Sequence, residues 1–334
     1  MCRPQVPFAH GGTEVMTDAL VVELRARGHE ADLISVPFKW YPGVTILTHA
    51  FLWRLVDLAE SDVDVVIATK FPSYVISHPE KRVWLIHQFR QAYELDGTPL
   101  AQFDTSPEQR ALRRRVQRLD LVTLGEARRL FAISQNVADR LARSTALTAE
   151  VLVPPPQDLA YRHEGVGDFI LSVNRLDRAK RIDLLLDAAR LVPSMRVVVV
   201  GEGPDRERLV GMGEHPELAG RVEFRGRVPG DELAALYATC LALYYAPVDE
   251  DMGIAPYEAF RSAKPVVTTT DSGGPLEVVT DGETGIVVSP EPVEVARALA
   301  WLQTHNEAAV SLGQAGKTVA ERITWDHTIS RLLS

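Results

Sequence analysis

The sequence predicts an α/β fold built from two doubly wound, Rossmann-like parallel sheets. Short apolar runs rich in β-branched residues alternate with helical patterns along the whole chain, which is typical of parallel strands covered by helices on both faces. Three consecutive prolines at 154–156 cannot continue a central strand, and a polar stretch follows them. A new alternation begins at Phe169, and 334 residues predict about two domains. We therefore expect one sheet on each side of a linker.

The order of the elements supports this expectation. Helices are predicted over 13–27, 107–124, 135–143, 182–191, 231–237, 254–264, 293–304 and 326–333, with another beginning near Pro204. Strands are predicted over 31–36, 63–69, 82–87, 130–134, 150–153, 169–173, 196–200, 222–225, 241–245, 265–268 and 285–288. Such sheets bind ligands outside the carboxyl ends of their strands, and an interdomain cleft is a favoured ligand site.

Composition narrows the class of protein. The chain is 46% apolar and 24% charged, with a net charge of −9 that lies mainly in its C-terminal half, so nucleic acid is not an expected partner. Two cysteines, Cys2 and Cys240, offer neither a disulfide framework nor a metal spacing. No apolar run approaches the ~20 residues that span a bilayer, and the N-terminus lacks the apolar stretch of a signal peptide. We expect a cytoplasmic protein, with the inner membrane face as an alternative location.

The segment EDMGIAPYE is the most informative one. Gly253 lets the backbone approach a ligand closely, and the turn would aim a helix start at an anion such as a diphosphate. Glu258 would lie roughly 6 Å further along the helix, at ~1.5 Å per residue, within reach of a ribose whose hydroxyls a carboxylate can accept. Glu250, before the helix, would face a sugar. The alternative is a loop acid and a first-turn glutamate that complements the helix dipole.

Other segments place small or charged residues where a strand meets a helix. The pair Gly11 and Gly12 follows His10 and permits close approach to a phosphate or sugar, or only a tight turn. In NRLDRAKR, Arg175 and Lys180 can hold a diphosphate or remain solvated. The segment 272–274 (SGG) allows donor contact or plain turn chemistry, whereas GEGP at 201–204 is interpreted as a tight turn into a helix.

His87 ends a strongly apolar strand and precedes a long loop. This position suits chemistry in a cleft, and a satisfied core histidine is the alternative.

Two acidic segments resemble metal motifs without fitting them. Asp62-Val63-Asp64 precedes its strand and so lies at the wrong edge of the sheet. The segment 249–251 (DED) has no further spaced ligand. We expect no metal and no other cofactor.

A basic helical face is the last candidate. It consists of Arg110, Arg113, Arg114 and Arg118. Such a face can contact anionic lipid headgroups, and a solvated face is the alternative interpretation.

The segments in this order resemble family-4 retaining glycosyltransferases of the GT-B fold, of the group 1 type. The resemblance is carried by HGGTE, LSVNRLDRAKRID, VVVVGEGPDRERL, VEFRGRVPGDELAALYATC, EDMGIAPYEAF and GGPLEVVTDGETGIVV. It implies two facing Rossmann-like domains, an acceptor domain over 1–160 and a donor domain over 165–320, with the helix at 324–334 packing back on the first.

The resemblance also implies roles for the candidate residues. Arg175 and Lys180 would bind the donor diphosphate, Glu258 the ribose and Glu250 the transferred sugar. The backbone from Gly253 through Ile254 and Ala255 would meet phosphate or sugar oxygens.

Further positions would complete the site by resemblance. Gly11 and Gly12 would approach the donor phosphate or the acceptor, and His87 would lie near the reacting sugar. Backbone near Arg227 and Val228 would hold the base.

The chain departs from the family pattern in two places. Asp251-Met252 stands where the family usually has Pro-Phe, so the sugar pocket is expected to differ. Only MCRPQVPFAH precedes the glycine pair, so we expect a truncated first strand of marginal order, with a true start upstream of Met1.

The implied function is transfer of a sugar from a nucleoside-diphosphate sugar to an acceptor, with retention and without a metal, in cell-surface glycan or glycolipid synthesis. A sugar-nucleotide epimerase of the same architecture and an inactive sugar-nucleotide-binding protein are the alternatives. The missing G-x-G-x-x-G pattern disfavours an NAD-dependent oxidoreductase. The base, sugar, acceptor and linkage cannot be deduced from these residues.

Overall fold

The computed structural model describes residues 1–5, 11–58, 61–98 and 101–334. The chain divides into two compact units, the first made of Met1–Pro155 with Thr324–Ser334 and the second of Pro156–Ile323. The division falls within the three prolines, slightly before the expected linker. His10 of the HGGTE segment lies outside the described residues.

Helices and strands alternate along both units. The strands are β1 (Cys2–Gln5), β2 (Ile34–Pro37), β3 (Val66–Ala68), β4 (Lys81–Leu85), β5 (Arg129–Ala132), β6 (Glu150–Val151), β7 (Phe169–Val173), β8 (Arg196–Val200), β9 (Val222–Gly226), β10 (Ala242–Tyr244), β11 (Val266–Thr269) and β12 (Gly285–Val288). The helices are α1 (Gly12–Ala26), α2 (Thr45–Leu52), α3 (Pro107–Gly125), α4 (Gln135–Thr145), α5 (Ile182–Arg190), α6 (Arg206–Gly213), α7 (Gly230–Thr239), α8 (Ala255–Arg261), α9 (Pro292–Thr304), α10 (Asn306–Ala320) and α11 (Trp325–Leu333).

Each unit contains a six-stranded parallel sheet. The strand order is β2-β1-β3-β4-β5-β6 in the first unit and β12-β11-β10-β7-β8-β9 in the second. The described pairs are all parallel, so the carboxyl ends of the strands share one edge in each sheet. The predicted fold class is confirmed.

The first strand is present as β1 (Cys2–Gln5). β1 pairs with β2 over four residues and also with Ala68 of β3, so it occupies an interior place in the sheet. Cys2 is buried there. This segment does not have the apolar composition of a typical buried strand. Its arginine is accommodated because the Arg3 guanidinium points to α1, where it contacts Thr17 and Asp18 at 2.6 Å.

The last helix, α11, packs within the first unit. Ile329 and Leu332 are buried, and Arg331 forms two hydrogen bonds with Glu150 at 2.8 and 2.6 Å. The guanidinium of Arg82 on β4 donates to the carbonyl of Leu332. A segment distant in sequence therefore completes the cover of the first sheet.

Three helices differ from expectation. α2 and α10 were not predicted, and α8 ends at Arg261 rather than at 264. α8 ends early because Ala263 adopts φ +51° and the backbone N–H of Lys264 closes the last turn on the carbonyl of Ala259 at 3.0 Å. No helix among the described residues is long and apolar enough to cross a membrane.

Candidate active site

Three of the predicted segments lie together at the carboxyl edge of the second sheet. β10 lies between β7 and β11, with Leu243 opposite both Leu171 and Val266. The loops that follow these strands therefore begin side by side. They carry Lys180, Glu250 and the SGG segment that the sequence singles out, and the loop after β10 leads into α8, which carries Glu258.

Lys180 and Glu250 form an ion pair across two of these loops. Lys180 ends a 3₁₀ turn, Arg178–Lys180, and its Nζ lies 5.6 Å from the ring centroid of Tyr245. The two side chains are only 16% and 20% exposed. Burial lowers the pKa of Lys180, but Tyr245 and the carboxylate of Glu250 outweigh it, so the pKa lies above the ordinary lysine value. The site thus holds a fixed positive charge beside a fixed negative one.

The backbone of Glu250 is held by the loop after β11. Its N–H donates to the carbonyl of Ser272 and its carbonyl accepts from the N–H of Gly274, both at 2.9 Å. A Cβ on Gly274 would lie 2.5 Å from the carbonyl oxygen of Asp251. The SGG segment therefore packs against the Glu250 loop and supports its backbone.

Gly253 brings the backbone against the Tyr245 ring. Its φ is +79°, a left-handed value that favours glycine, and a Cβ there would lie 2.5 Å from Tyr245 Cε1. Ile254 precedes α8 and Ala255 begins it. The close approach of backbone that is predicted at this turn depends on two features of Gly253, its left-handed φ and the absence of a Cβ.

Glu258 lies in the first turn of α8 and is buried. Tyr237 of α7 donates its hydroxyl to Glu258 Oε2 at 2.8 Å. Burial raises the pKa of Glu258, although the tyrosine hydroxyls around it act in the opposite direction. The sequence did not reveal Tyr237 as a partner, because its role depends on the contact between α7 and α8.

Arg175 stands apart from the Lys180–Glu250 pair. Its side chain is 73% exposed, and within the described part of the chain its charged partner is Asp177, at 3.9 Å. Its loop is braced by the GEGP turn, since a Cβ on Gly203 would lie 2.2 Å from the carbonyl oxygen of Leu176. The turn leads into α6, which begins at Arg206, and it also packs closely against the loop of Arg175.

Arg227 and Val228 lie between β9 and α7, where Arg227 is exposed and Val228 is half-buried.

Arg181 connects the three loops and was missed from the sequence. From a backbone at φ +49°, its guanidinium bonds to the carbonyl of Ala246 at 2.8 Å, to Thr269 Oγ1 at 2.7 Å and to both carboxylate oxygens of Asp271. The adjacent Lys180 therefore projects from a braced turn. The sequence offered one signal for this role. Arg181 directly follows Lys180, and a single acidic residue, Asp271, follows the VVTTT strand.

The candidates of the first unit lie on separate elements of that unit. Gly11, rather than Thr13, is the N-cap of α1, and its N–H donates to Glu14 Oε2 at 3.0 Å. Gly12 is the first residue of the helix. His87 follows β4 by two residues, and its Nδ1 lies 2.5 Å from the carbonyl oxygen of Gln88.

A buried carboxyl supports the loop that follows His87. Asp120 of α3 accepts hydrogen bonds from Tyr74 and Tyr93, both at 2.8 Å, and from Gln88 Nε2 at 3.5 Å. Burial raises the pKa of Asp120 to about 7.

The basic face of α3 is only partly available. Arg113 pairs with Asp96 and Arg110 donates to the carbonyl of Thr105, whereas Arg114 and Arg118 are exposed. Asp62 and Asp64 precede β3, at the amino edge. In the ranges that the structure describes, no three acidic, histidine or cysteine side chains come together as a metal site would require.

Comparison with known proteins identifies the second unit. The model of glycosyl transferases group 1 matches residues 161–319. These residues form a domain of that family. The chain is 32% identical over 151 residues to alpha-1,3/1,6-mannosyltransferase ALG2 of Dictyostelium discoideum, an alignment that covers 39% of the chain and 36% of the relative.

A second relative is the GDP-mannose-dependent alpha-(1-6)-phosphatidylinositol monomannoside mannosyltransferase of Mycobacterium tuberculosis. It is 33% identical over 176 residues, which cover 49% of the chain and 46% of the relative. The alignments thus span between about a third and a half of these curated relatives.

Solved structures extend the similarity to the whole fold. Sucrose-phosphate synthase from Thermosynechococcus elongatus superposes with a TM-score of 0.79 and 19% identity, covering 99% of this chain and 96% of the neighbour. HepE of Anabaena, solved with UDP and glucose, gives 0.72 and 17%, covering 99% and 98%. The two sheets therefore have the GT-B architecture.

Proposed function

We propose that this protein is a retaining, metal-independent glycosyltransferase that moves a sugar from a nucleoside-diphosphate sugar to an acceptor in glycan or glycolipid synthesis. The observation that carries the proposal is the Lys180–Glu250 ion pair at the carboxyl edge of the second sheet. A cation for a diphosphate and an acceptor for sugar hydroxyls lie there in contact. Two relatives are named as mannosyltransferases, and HepE was solved with UDP and glucose.

The donor site follows from the residues of this edge. Lys180 and the exposed Arg175 would neutralise the diphosphate as its bond to the sugar breaks, which stabilises the transition state electrostatically. Glu258, buried and hydrogen-bonded by Tyr237, would accept the ribose hydroxyls through its other oxygen. The backbone over 253–255 would contact phosphate or sugar oxygens, and the backbone at Arg227 and Val228 would hold the base.

The first unit would supply the acceptor side. His87 would lie near the reacting sugar, and Gly11 and Gly12 would approach the phosphate or the acceptor. In the retaining scheme, Glu250 positions the sugar while a leaving phosphate oxygen takes the proton of the acceptor hydroxyl on the same face.

The acceptor surface is proposed to touch an anionic bilayer. Large apolar side chains project from α2 and the 3₁₀ turn after it, where Val44, Phe51 and Leu55 are 75%, 51% and 77% exposed. Arg54 in this turn pairs with Glu126, just beyond the end of α3, so the apolar row adjoins the helix that carries Arg114 and Arg118. Apolar and basic side chains together are typical of interfacial binding.

Vesicle sedimentation tests the membrane contact. Wild-type protein should pellet with vesicles that contain phosphatidylglycerol and remain unbound to pure phosphatidylcholine. The double variant Arg114→Glu/Arg118→Glu and the double variant Phe51→Ser/Leu55→Ser should each weaken pelleting at least about fivefold. Equal binding to neutral vesicles, or unchanged binding of both variants, would remove the bilayer from the proposal.

Donor binding is tested first by thermal shift. A panel of nucleoside diphosphates and their sugars is added, and the true donor should raise the melting temperature by mass action, with about 2.7 kcal/mol at a hundredfold excess over Kd. No stabilisation by any member would contradict the proposed function.

The matching donor is then used in turnover assays. Lys180→Ala should lower turnover by two or more orders of magnitude while the variant still folds, and a mild effect would refute the role of Lys180. Excess chelator should leave turnover unchanged; loss that a divalent ion restores would overturn the metal-independent scheme. Conversion of donor without any acceptor would indicate the epimerase, and binding without turnover the inactive protein.

A further inference from the structure

The Lys180–Glu250 pair joins two residues that the proposed function assigns to different parts of the donor. Lys180 would bind the diphosphate and Glu250 the sugar, yet the two contact each other directly and are largely shielded from water. A partly buried pair of this kind is stronger than a surface pair, and separating it leaves two incompletely solvated charges. Each member of the pair therefore neutralises the charge of the other.

Glu250 projects from a backbone that is held in place on both sides. Its backbone is fixed to the carbonyl of Ser272 and the N–H of Gly274, and Asp249 beside it donates to the carbonyl of Asp271 at 2.9 Å. On the opposite side, Lys180 projects from the turn that Arg181 braces. Any diphosphate that draws Lys180 away must therefore lie close to the carboxylate.

Intact donor and spent diphosphate differ in how they meet this carboxylate. The sugar of the donor offers hydroxyls that can donate to Glu250, which replaces the hydrogen bond given up by Lys180. A free nucleoside diphosphate offers no such donors and carries one more negative charge, so it is repelled at short range.

We propose that the Lys180–Glu250 ion pair competes with the spent nucleoside diphosphate, so that Glu250 selects the intact donor and speeds release of the product. This inference rests on the proposed function and adds a second role for Glu250. It is independent of which base or sugar the enzyme uses.

The decisive variant is Glu250→Gln, which removes the charge and keeps the shape of the side chain. Calorimetric titration should find its Kd for the nucleoside diphosphate at least about tenfold lower than that of wild type. The ratio of affinities for intact donor and diphosphate should fall by a similar factor. Product inhibition by the diphosphate should strengthen in parallel.

Two controls locate the effect in the pair. In a Lys180→Met background, adding Glu250→Gln should tighten diphosphate binding by clearly less than the tenfold gain expected with Lys180 present, because only the direct repulsion is then relieved. Glu258→Gln removes a carboxylate of the same edge whose described hydrogen-bond donor is Tyr237, and this variant should not tighten diphosphate binding.

The outcomes separate this inference from the proposed function. If neither wild type nor Glu250→Gln binds any diphosphate of the panel, both the proposed function and this inference are overturned. If wild type binds one, but Glu250→Gln binds it equally or more weakly, only the inference is overturned. Equal tightening in the Lys180→Met background overturns it as well, because repulsion alone would then explain the change.

Discussion

The guanidinium of Arg181 donates to both carboxylate oxygens of Asp271, at 2.9 and 2.8 Å. This bidentate pair links the turn that carries Lys180 to the loop that backs Glu250. Burial raises the pKa of Asp271, but the hydrogen bonds from Arg181 and Thr269 lower it by more. The pKa therefore lies below the ordinary aspartate value, and the carboxyl is held in its charged form. The carboxyl edge of the second sheet is therefore braced by side chains other than the candidate site residues.

Asp271→Asn should destabilise the second unit and slow turnover together. An amide can accept only one of the two hydrogen bonds, which leaves the buried guanidinium undercompensated and costs about 1–3 kcal/mol. Urea unfolding and turnover measure the two effects. The control is Asp168→Asn, which breaks the exposed pair with Arg196 and should change stability by less than about 0.5 kcal/mol. Equal effects of the two variants would contradict the bracing role.

Gly253→Ala should lower turnover at least about tenfold. The new methyl group would strain a left-handed backbone and meet the Tyr245 ring, so the 253–255 backbone would shift away from its ligand position. Gly282→Ala is the matched control because its φ is +71° and a Cβ there meets nothing within 4 Å. Both variants should lose about 1 kcal/mol of stability from the backbone alone. A turnover loss shared by the control would mean that strain, not position, matters.

Tyr237→Phe should change the pH dependence of nucleotide binding. If Glu258 binds ribose as a carboxylate, affinity falls as pH drops through its pKa, which burial has already raised. Removing the Tyr237 hydroxyl removes a hydrogen bond to the charged form, so the midpoint should move up by about one pH unit. Titrations with nucleoside diphosphate across pH measure it. An unchanged midpoint, or an equal shift in Tyr257→Phe, would place Glu258 outside the nucleotide site.

Asp120 should make the first unit less stable as pH rises. The pKa of Asp120 is about 7 in the folded protein and about 4 when unfolded, so the folded state binds the extra proton between these values. Stability is then highest below about pH 4 as far as this group is concerned, and falls until pH 7, by at most about 4 kcal/mol.

Asp120→Asn tests the pH dependence of Asp120. The stability difference between the variant and wild type should shift in favour of the variant when pH rises from 5 to 8. Urea unfolding at both pH values measures this difference. Asp139→Asn, an exposed change in the same unit, should show no such trend. A pH-independent difference would refute the raised pKa.

How much of the fold the sequence predicts depends on where each residue packs. β7, β8 and β12 match their predicted bounds because continuous apolar runs leave little choice of element. α10 escaped prediction because it contains Gly313 and Gly316, which ordinarily weaken a helix. Here they allow contact with α8: a Cβ on Gly313 would lie 2.1 Å from the carbonyl oxygen of Ala263 and one on Gly316 2.2 Å from the Phe260 ring.

The candidate site shows the same division. Lys180, Glu250 and Gly253 could be picked out because their types and positions at strand ends point to phosphate and sugar chemistry. Arg181 and Tyr237 could not, since their importance comes from partners 90 and 21 positions away. The sequence pattern identifies residues whose own side chain or backbone could bind a ligand. Residues that only orient others can be recognised once their contacts in the folded chain are known.

The return of α11 to the first unit has a consequence for biosynthesis. A ribosome completes the first 155 residues and then the whole second unit before Thr324–Ser334 emerge. Until then the nascent first sheet lacks the helix that buries Ile329 and Leu332 and that accepts the guanidinium of Arg82. The first unit can therefore complete its packing only after residues 324–334 have been translated, and an arrest of translation before them would leave apolar surface of that unit exposed.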